Sequence, residues 1–238
     1  MNQFNPEQYI PQLSIDSVIF GYKKKQLHVL ISKMNFGHNI YTLPGGFISQ
    51  DQGIDEAALQ ILKERTGLKD IFLEQYKTFG PADRKNNPIL DVLDQDKPTP
   101  MPDEQAVVEW FSKRFISIGY YALVDINKVK PQKTDLDESV DWLPIESLPV
   151  LIMDHNQMVQ EALETLRRNL DEKLIGFNLL PETFTMRELQ ELYEAVYDKA
   201  FARNNFQKKM LSLEVLERLE KKFTGAANKA PYLYRFRR

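Results

Sequence analysis

Residues 43–68 read LPGGFISQDQGIDEAALQILKERTGL. A short extended segment, residues 40–43, runs into Pro44-Gly45-Gly46-Phe47. The paired glycines suit a turn with unusual dihedrals, or a close approach of backbone to a ligand. Asp55 is placed to cap a helix, and Glu56 lies near the positive end of its dipole. Ala57, Ala58, Ile61, Leu62 and Arg65 then follow a 3.6-residue period, and Gly67-Leu68 closes the stretch. A glycine pair before a helix is by itself an ordinary junction; here the closing Thr66-Gly67-Leu68 stands at a matching distance.

That spacing resembles the Nudix box, G-x5-E-x7-R-E-U-x-E-E-x-G-U, where U is a bulky aliphatic residue. On this frame Gly46 is the opening glycine, Leu62 the internal aliphatic residue and Gly67-Leu68 the closing pair. Its acids are mostly missing. The first Glu falls on Gln52, the Arg on Gln60, the next Glu on Ile61 and the last Glu on Arg65, leaving Glu64 alone in place. Nudix hydrolases use this segment to hold a divalent cation against a diphosphate. A hard cation needs several oxygen ligands, and it works by clamping phosphoryl oxygens and activating water. Ile61 offers no oxygen, and Arg65 brings a positive charge. The resemblance implies the fold without the reaction, with no metal or other cofactor and no catalytic residue. The alternative is a working hydrolase of a nucleotide-sugar or nucleoside diphosphate derivative, with Glu64 joined by Asp51, Asp55 or Glu56.

The 238 residues allow one large domain or two of ordinary size, and 42% apolar and 27% charged content suits a globular chain. The absence of cysteine excludes disulfides and thiolate metal sites. The opening residues, MNQFNPEQYIPQ, lack the pattern of a signal peptide, and no apolar run approaches the ~20 residues of a membrane span. A cytoplasmic protein is expected. The net charge of −3 hides an asymmetry. From Phe201 onward ten bases face three acids, a net of +7, which leaves −10 for residues 1–200. A basic end on an acidic body points to nucleic acid.

Residues 13–21 and 26–33 read as two strands around the polar turn 22–25. Further strands are expected at 69–80, 114–125 and 140–143, and Asp154 is placed to cap a helix over 155–170. Strands around a Gly-Gly-helix unit, closed by a late helix, make a Nudix-like α/β/α sandwich. Residues 85–111 are Pro-rich and acidic without a sustained period, and read as an inserted loop with a short helix near 104–111. Candidate ligand contacts are Tyr41, Gly45, Gly46, Phe47, Asp83, Arg84 and Tyr120: the glycine turn, the Asp-Arg pair at a strand end, and two tyrosines able to stack on a sugar or base. His155, in the first turn of its helix, is expected to serve packing.

After residue 173 the character changes. Thr185 and Glu188 have the spacing of a capping box, and Leu189, Leu192, Tyr193, Val196 and Tyr197 form one helical face. A polar bend leads to a second helix. Phe206 and Met210 point inward there, while Arg203, Asn204, Asn205, Gln207 and Lys208 supply a surface for DNA. This is helix-turn-helix logic, and Arg, Asn and Gln are side chains able to read base edges. A strand near 215–220, a basic loop and a strand over 232–236 make a wing, with Lys221, Lys222, Lys229 and Arg235 toward phosphates.

The order Leu179-Leu180-Pro181, Phe184-Thr185, Leu192-Tyr193-Glu194-Ala195, Asn205-Phe206, Lys209-Met210 and Leu233-Tyr234-Arg235-Phe236 resembles the Nudix-related transcriptional regulators of the NrtR-like family. The resemblance implies residues 1–172 as a Nudix-like sensor and 173–238 as a winged helix-turn-helix domain. It further implies a homodimer on a palindromic operator in double-stranded DNA, controlled by a small effector. Some members respond to ADP-ribose-type nucleotides and others to sugars such as arabinose. The missing acids lean the expectation toward a sugar and a role in carbohydrate metabolism.

Overall fold

A computed structural model of the chain describes residues 5–35, 39–69, 71–84, 109–172, 179–222 and 230–237. Its central strand is the apolar run expected near residues 13–21, lengthened to β1 (Tyr9–Lys23). A two-residue turn at Lys24-Lys25, both with positive φ, folds β2 (Gln26–Met34) back against it. Such a turn matches the right-handed twist of paired strands. Five more strands complete the sheet: β3 (Tyr41–Thr42), β4 (Gly45–Ser49), β5 (Phe72–Phe79), β6 (Ile116–Val124) and β7 (Asp137–Pro144). β1 runs parallel to β6 from Leu13 opposite Ile116 to Gly21 opposite Val124. The neighbouring pairs β1–β2, β1–β4, β2–β3, β2–β7 and β5–β6 are antiparallel.

Alternation along β1 divides the core in two. Ile15 and Ile19 face α1 (Ile54–Thr66), where Ala57, Ala58, Ile61 and Leu62 are buried. Val18 and Phe20 face α2 (His155–Glu172) through Met158, Val159, Ala162 and Leu166. This is the expected α/β/α sandwich, and each Val, Ile, Leu, Phe or Met side chain so enclosed contributes roughly 1.5–3 kcal/mol.

Two local expectations change at residues 43–68. Gly45 and Gly46 belong to β4 instead of a turn, and neither has a positive φ. Their lack of a side chain serves packing. A Cβ on Gly45 would lie 2.5 Å from Asp16 Oδ1 and 2.7 Å from the Ile15 carbonyl, and one on Gly46 would lie 2.9 Å from Ile61 Cδ1. The helix is capped by Gly53, not Asp55; the Asp55 carboxylate instead accepts from the Tyr120 hydroxyl. At the other end Gly67, with φ 71°, donates to the Lys63 carbonyl at 2.8 Å.

The C-terminal part has α3 (Met186–Tyr197) and α4 (Arg203–Ser212) beside a small sheet. Thr185 and Glu188 make the capping box reciprocally at the start of α3. β9 (Leu216–Lys221) and β10 (Tyr232–Phe236) form the hairpin of the wing. A two-residue strand absent from the sequence reading, β8 (Phe184–Thr185), adds to β10. One continuous apolar cluster runs from Val18 and Phe20 through α2 to Leu189, Val196, Phe206 and Tyr234. The hairpin of the sandwich also touches α3 through Lys25 and Glu191, 3.0 Å apart. Residues 85–108 of the expected insertion, residues 173–178 and residues 223–229 of the expected basic loop, including Lys229, lie outside the described residues. Of the short helix expected near 104–111, only its end is described, as a helical turn at 109–112.

Candidate functional site

Three positions of the Nudix frame, Gln52 just before α1 and Gln60 and Glu64 on it, form a chain of hydrogen bonds. Gln52 Nε2 donates to Gln60 Oε1 at 2.7 Å, and Gln60 Nε2 donates to Glu64 Oε1 at 2.9 Å. The one carboxylate in frame therefore has an amide partner on its own helix. Ile61 is buried in the core, as its apolar character demands. Among the described residues no three His, Cys, Asp or Glu side chains gather as a metal set.

Arg65 has turned inward. It pairs with Asp137, whose Oδ2 also accepts from the backbone N–H and hydroxyl of Thr134, each at 2.7 Å. This pair forms one wall of a cavity of about 340 Å³ beside Gly45 and Gly46. Ser14, Asp16, Thr42, Arg84 and His155 are its other polar residues, and Met34, Phe47, Phe111, Phe115, Leu136 and Met153 line much of the remainder. Phe47 gathers the aromatic side, its ring 5.7 Å from Phe115 and 5.9 Å from both Trp110 and Phe111. Apolar walls carrying a few placed polar groups are the usual form of a small-molecule site.

The polar groups are held from behind. Arg84 Nε donates to both oxygens of Asp154, at 2.9 and 3.0 Å, and its Nη1 donates to the Phe115 carbonyl at 3.1 Å. The Leu43 backbone N–H donates to His155 Nδ1 at 3.1 Å, which makes Nδ1 the acceptor and leaves the proton of the neutral ring on Nε2. Burial holds the His155 pKa below its ordinary value; Asp16 opposes this and Arg84 reinforces it. Asp16 Oδ1 lies 3.8 Å from His155 Nε2, and its Oδ2 accepts from the Ser117 hydroxyl.

A larger open groove of about 1090 Å³ separates α3 and the start of α4 from Lys25 and β10. Its rim carries opposing charges such as Arg187 and Glu191, already paired at 2.9 Å. The smaller cavity gathers the buried charged groups Asp16, Arg65, Arg84 and Asp137 together with His155.

Four of the seven expected ligand residues, Gly45, Gly46, Phe47 and Arg84, line that cavity together. Tyr41, Asp83 and Tyr120 are not among its lining residues. Tyr41 is half-buried and packs on the α2 side of the core, its carbonyl accepting from the Ile152 N–H at 2.9 Å. Asp83 is exposed on its loop. Tyr120 shares the α1 face with Ile15 and Ile118, opposite the face of Tyr121. His155, expected to pack, is buried and also lines the cavity. Asp16, Arg65, Asp137, Phe111 and Phe115 were missed. Asp16 alone had a local sign, as a carboxylate inside an apolar strand.

On the winged helix, Phe206 and Met210 are buried, while Arg203, Asn204, Asn205 and Lys208 are exposed and Gln207 is half-exposed. Among the wing bases, Lys221 and Arg218 lie over the Tyr232 ring, Lys222 pairs with Glu188 at 3.2 Å, and Arg235 pairs with Glu217 at 2.8 Å.

A family model for the NrtR DNA-binding winged helix domain matches residues 176–236. The ADPR responsive transcriptional repressor NtrR of Acinetobacter baylyi is 28% identical over 233 residues, covering 95% of this chain and 82% of that protein. Shewanella oneidensis NrtR, solved with a 27mer DNA, superposes with a TM-score of 0.71 at 23% identity, over 95% of this chain and 94% of the other. A MutT/nudix family protein from Enterococcus faecalis superposes with a TM-score of 0.68 at 19% identity, over 99% and 90%. The expected lean toward a sugar effector and carbohydrate metabolism finds no support in these relatives. An NrtR-type winged helix domain at residues 176–236 thus follows a Nudix-type sandwich in which Glu64 alone keeps an acid of the box, and over nearly its whole length the chain is similar to a transcriptional repressor.

Proposed function

We propose that the cavity beside Gly45 and Gly46 senses an ADP-ribose-type nucleotide, and that its occupancy changes how the winged helix meets an operator in the cytoplasm. The ADPR response of the Acinetobacter repressor supports the effector class. One observation carries the coupling: α2 has one end in the cavity and its other half against the winged helix. His155 and the Asp154–Arg84 pair stand at its start. Farther along, Arg167 Nε donates to the Val196 carbonyl of α3 at 2.8 Å, and the Tyr197 hydroxyl donates to the Arg167 carbonyl at 2.8 Å. Arg167 stands twelve helical positions after His155, about 18 Å at 1.5 Å per residue.

The outward residues Arg203, Asn204, Asn205, Gln207 and Lys208 are assigned to DNA, and Lys221, Lys222, Lys229 and Arg235 to its phosphates. A homodimer would set two winged helices on a palindromic site. Fluorescence anisotropy with labelled DNA flanking the protein's own gene, with and without ADP-ribose, NAD, pentoses and hexoses, tests the reading. Selective binding that ADP-ribose alters is expected. A shift caused by a free pentose alone would replace the effector class, and no binding at low salt would remove the regulator. Arg203→Ala should relax base preference, whereas Lys222→Ala should weaken all sequences alike and lower the salt slope by about 1.

A further inference from the structure

Three polar atoms around the cavity have no hydrogen-bond partner among the described residues: Arg84 Nη2, Asp137 Oδ1 and His155 Nε2. Their side chains are 2%, 1% and 2% exposed. Leaving one such group unsatisfied is costly, and three on one cavity's lining form a recurrent demand for the same guest. The three differ in kind. Arg84 offers an N–H, His155 offers the N–H of its neutral ring, and Asp137 offers an acceptor.

The charges restrict the guest further. Arg65 is matched by Asp137 and Arg84 by Asp154, while Asp16 adds a carboxylate without a cation of its own. The polar wall therefore carries no surplus positive charge for a phosphate, and burying an unpaired anion there would be expensive. Hydroxyl groups satisfy the wall, because each O–H both donates and accepts.

We infer that the inner wall of the cavity binds the uncharged, hydroxyl-bearing end of the effector through Arg84 Nη2, His155 Nε2 and Asp137 Oδ1, while the effector's phosphates stay outside it. This rests on the reading of the cavity as the effector site. For an ADP-ribose-type nucleotide, the end concerned is the terminal ribose, with the nucleotide portion running out past the aromatic side of Phe47, Phe111 and Phe115. Discrimination then comes from the wall: a site that hydrogen-bonds hydroxyls rejects a ligand lacking them, because its own buried groups stay unpaired.

The test is calorimetric titration of the full chain with ADP-ribose, with ADP (which lacks the terminal ribose) and with free ribose. ADP-ribose should bind on the order of a hundredfold tighter than ADP, as two or three lost hydrogen bonds imply. Arg84→Lys keeps a cation for Asp154 but removes Nη2, and should shrink that ratio toward one while changing ADP affinity little. Asp137→Asn, measured with its thermal unfolding midpoint, provides a second variant should the first fail to fold. ADP binding as tightly as ADP-ribose would overturn the assignment of the inner wall and leave the effector site standing. No binding of ADP-ribose, ADP or ribose would overturn the effector site and the wall together.

Discussion

Arg65, at the last acidic position of the Nudix frame, is buried and pairs with Asp137 across the cavity wall. A residue type that would repel a metal ion has become the partner of a carboxylate from β7. Removing one member leaves the other charged and enclosed, which costs several kcal/mol, more than the pair itself stabilises. Arg65→Ala should therefore destabilise the chain by about 3 kcal/mol, and the double variant Arg65→Ala with Asp137→Ala by clearly less than the sum of the single changes. Urea unfolding of the four proteins measures the coupling. Additive losses would mean that the two side chains do not act as a pair.

The two glycines of β4 separate steric demands that look alike in sequence. An added methyl at Gly45 meets a backbone carbonyl and the held Asp16 carboxylate, whereas one at Gly46 meets the end of the Ile61 side chain. Backbone cannot yield without shifting β1, but Ile61 can change rotamer. Gly45→Ala should cost about 1–3 kcal/mol or more, and Gly46→Ala less, as overpacking against a movable side chain does. Equal unfolding midpoints for the two variants would contradict this account. Gly45→Ala should also weaken effector binding, since Asp16 moves with the strand.

What was legible follows from how local each cause is. The β1–β2 hairpin showed itself through apolar runs around a polar turn, and the start of α3 through the Thr185–Glu188 spacing. Both depend on residues close in sequence. Of the two expectations for Gly45 and Gly46, a turn or a backbone surface for a ligand, the turn fails because the atoms that exclude a side chain there belong to Asp16, Ile15 and Ile61. The cavity was half legible for the same reason. Gly45, Gly46 and Phe47 lie within the box, and Arg84 ends a strand loop, but Asp137 joins Arg65 from 72 positions along the chain. Tyr120 shows the limit of strand periodicity. Alternation separates it from Tyr121, yet nothing local says which face carries the ligand.

His155 ties stability to pH. Its folded pKa lies below the ordinary 6.5, chiefly because burial disfavours the imidazolium. The unfolded chain thus binds a proton more readily. The stability from the neutral ring is full above about pH 6.5 and is lost as the pH falls toward the folded value. Thermal midpoints measured from about pH 7.5 down to about pH 5.5 should fall more steeply for the natural chain than for His155→Asn. The asparagine carbonyl can still accept from the Leu43 N–H, so the comparison isolates the titration. Parallel slopes would show that the ring does not govern acid sensitivity in this range.

The contact of α2 with α3 supplies the last prediction. Arg167 and Tyr197 bond each other's helices through backbone carbonyls, so each bond reports the relative placement of whole helices. A ligand shifts an equilibrium only by its differential affinity for two states, so under the proposed function ADP-ribose binding beside His155 is expected to alter this contact. Arg167→Met keeps the aliphatic stem and removes the donor, and Tyr197→Phe removes only the hydroxyl. Both should leave ADP-ribose affinity in the absence of DNA near that of the natural chain. Both should also shrink the ratio of DNA affinities measured with and without ADP-ribose, a ratio typically about 5–150-fold in coupled sites. Anisotropy titrations give that ratio, and calorimetry in the presence of operator must return the same factor, because coupling between two bound ligands is reciprocal. Should both variants keep the full ratio, the signal passes instead through the direct contact of the β1–β2 hairpin with α3. Lys25→Ala, which removes the partner of Glu191 there, would then be the variant that loses it.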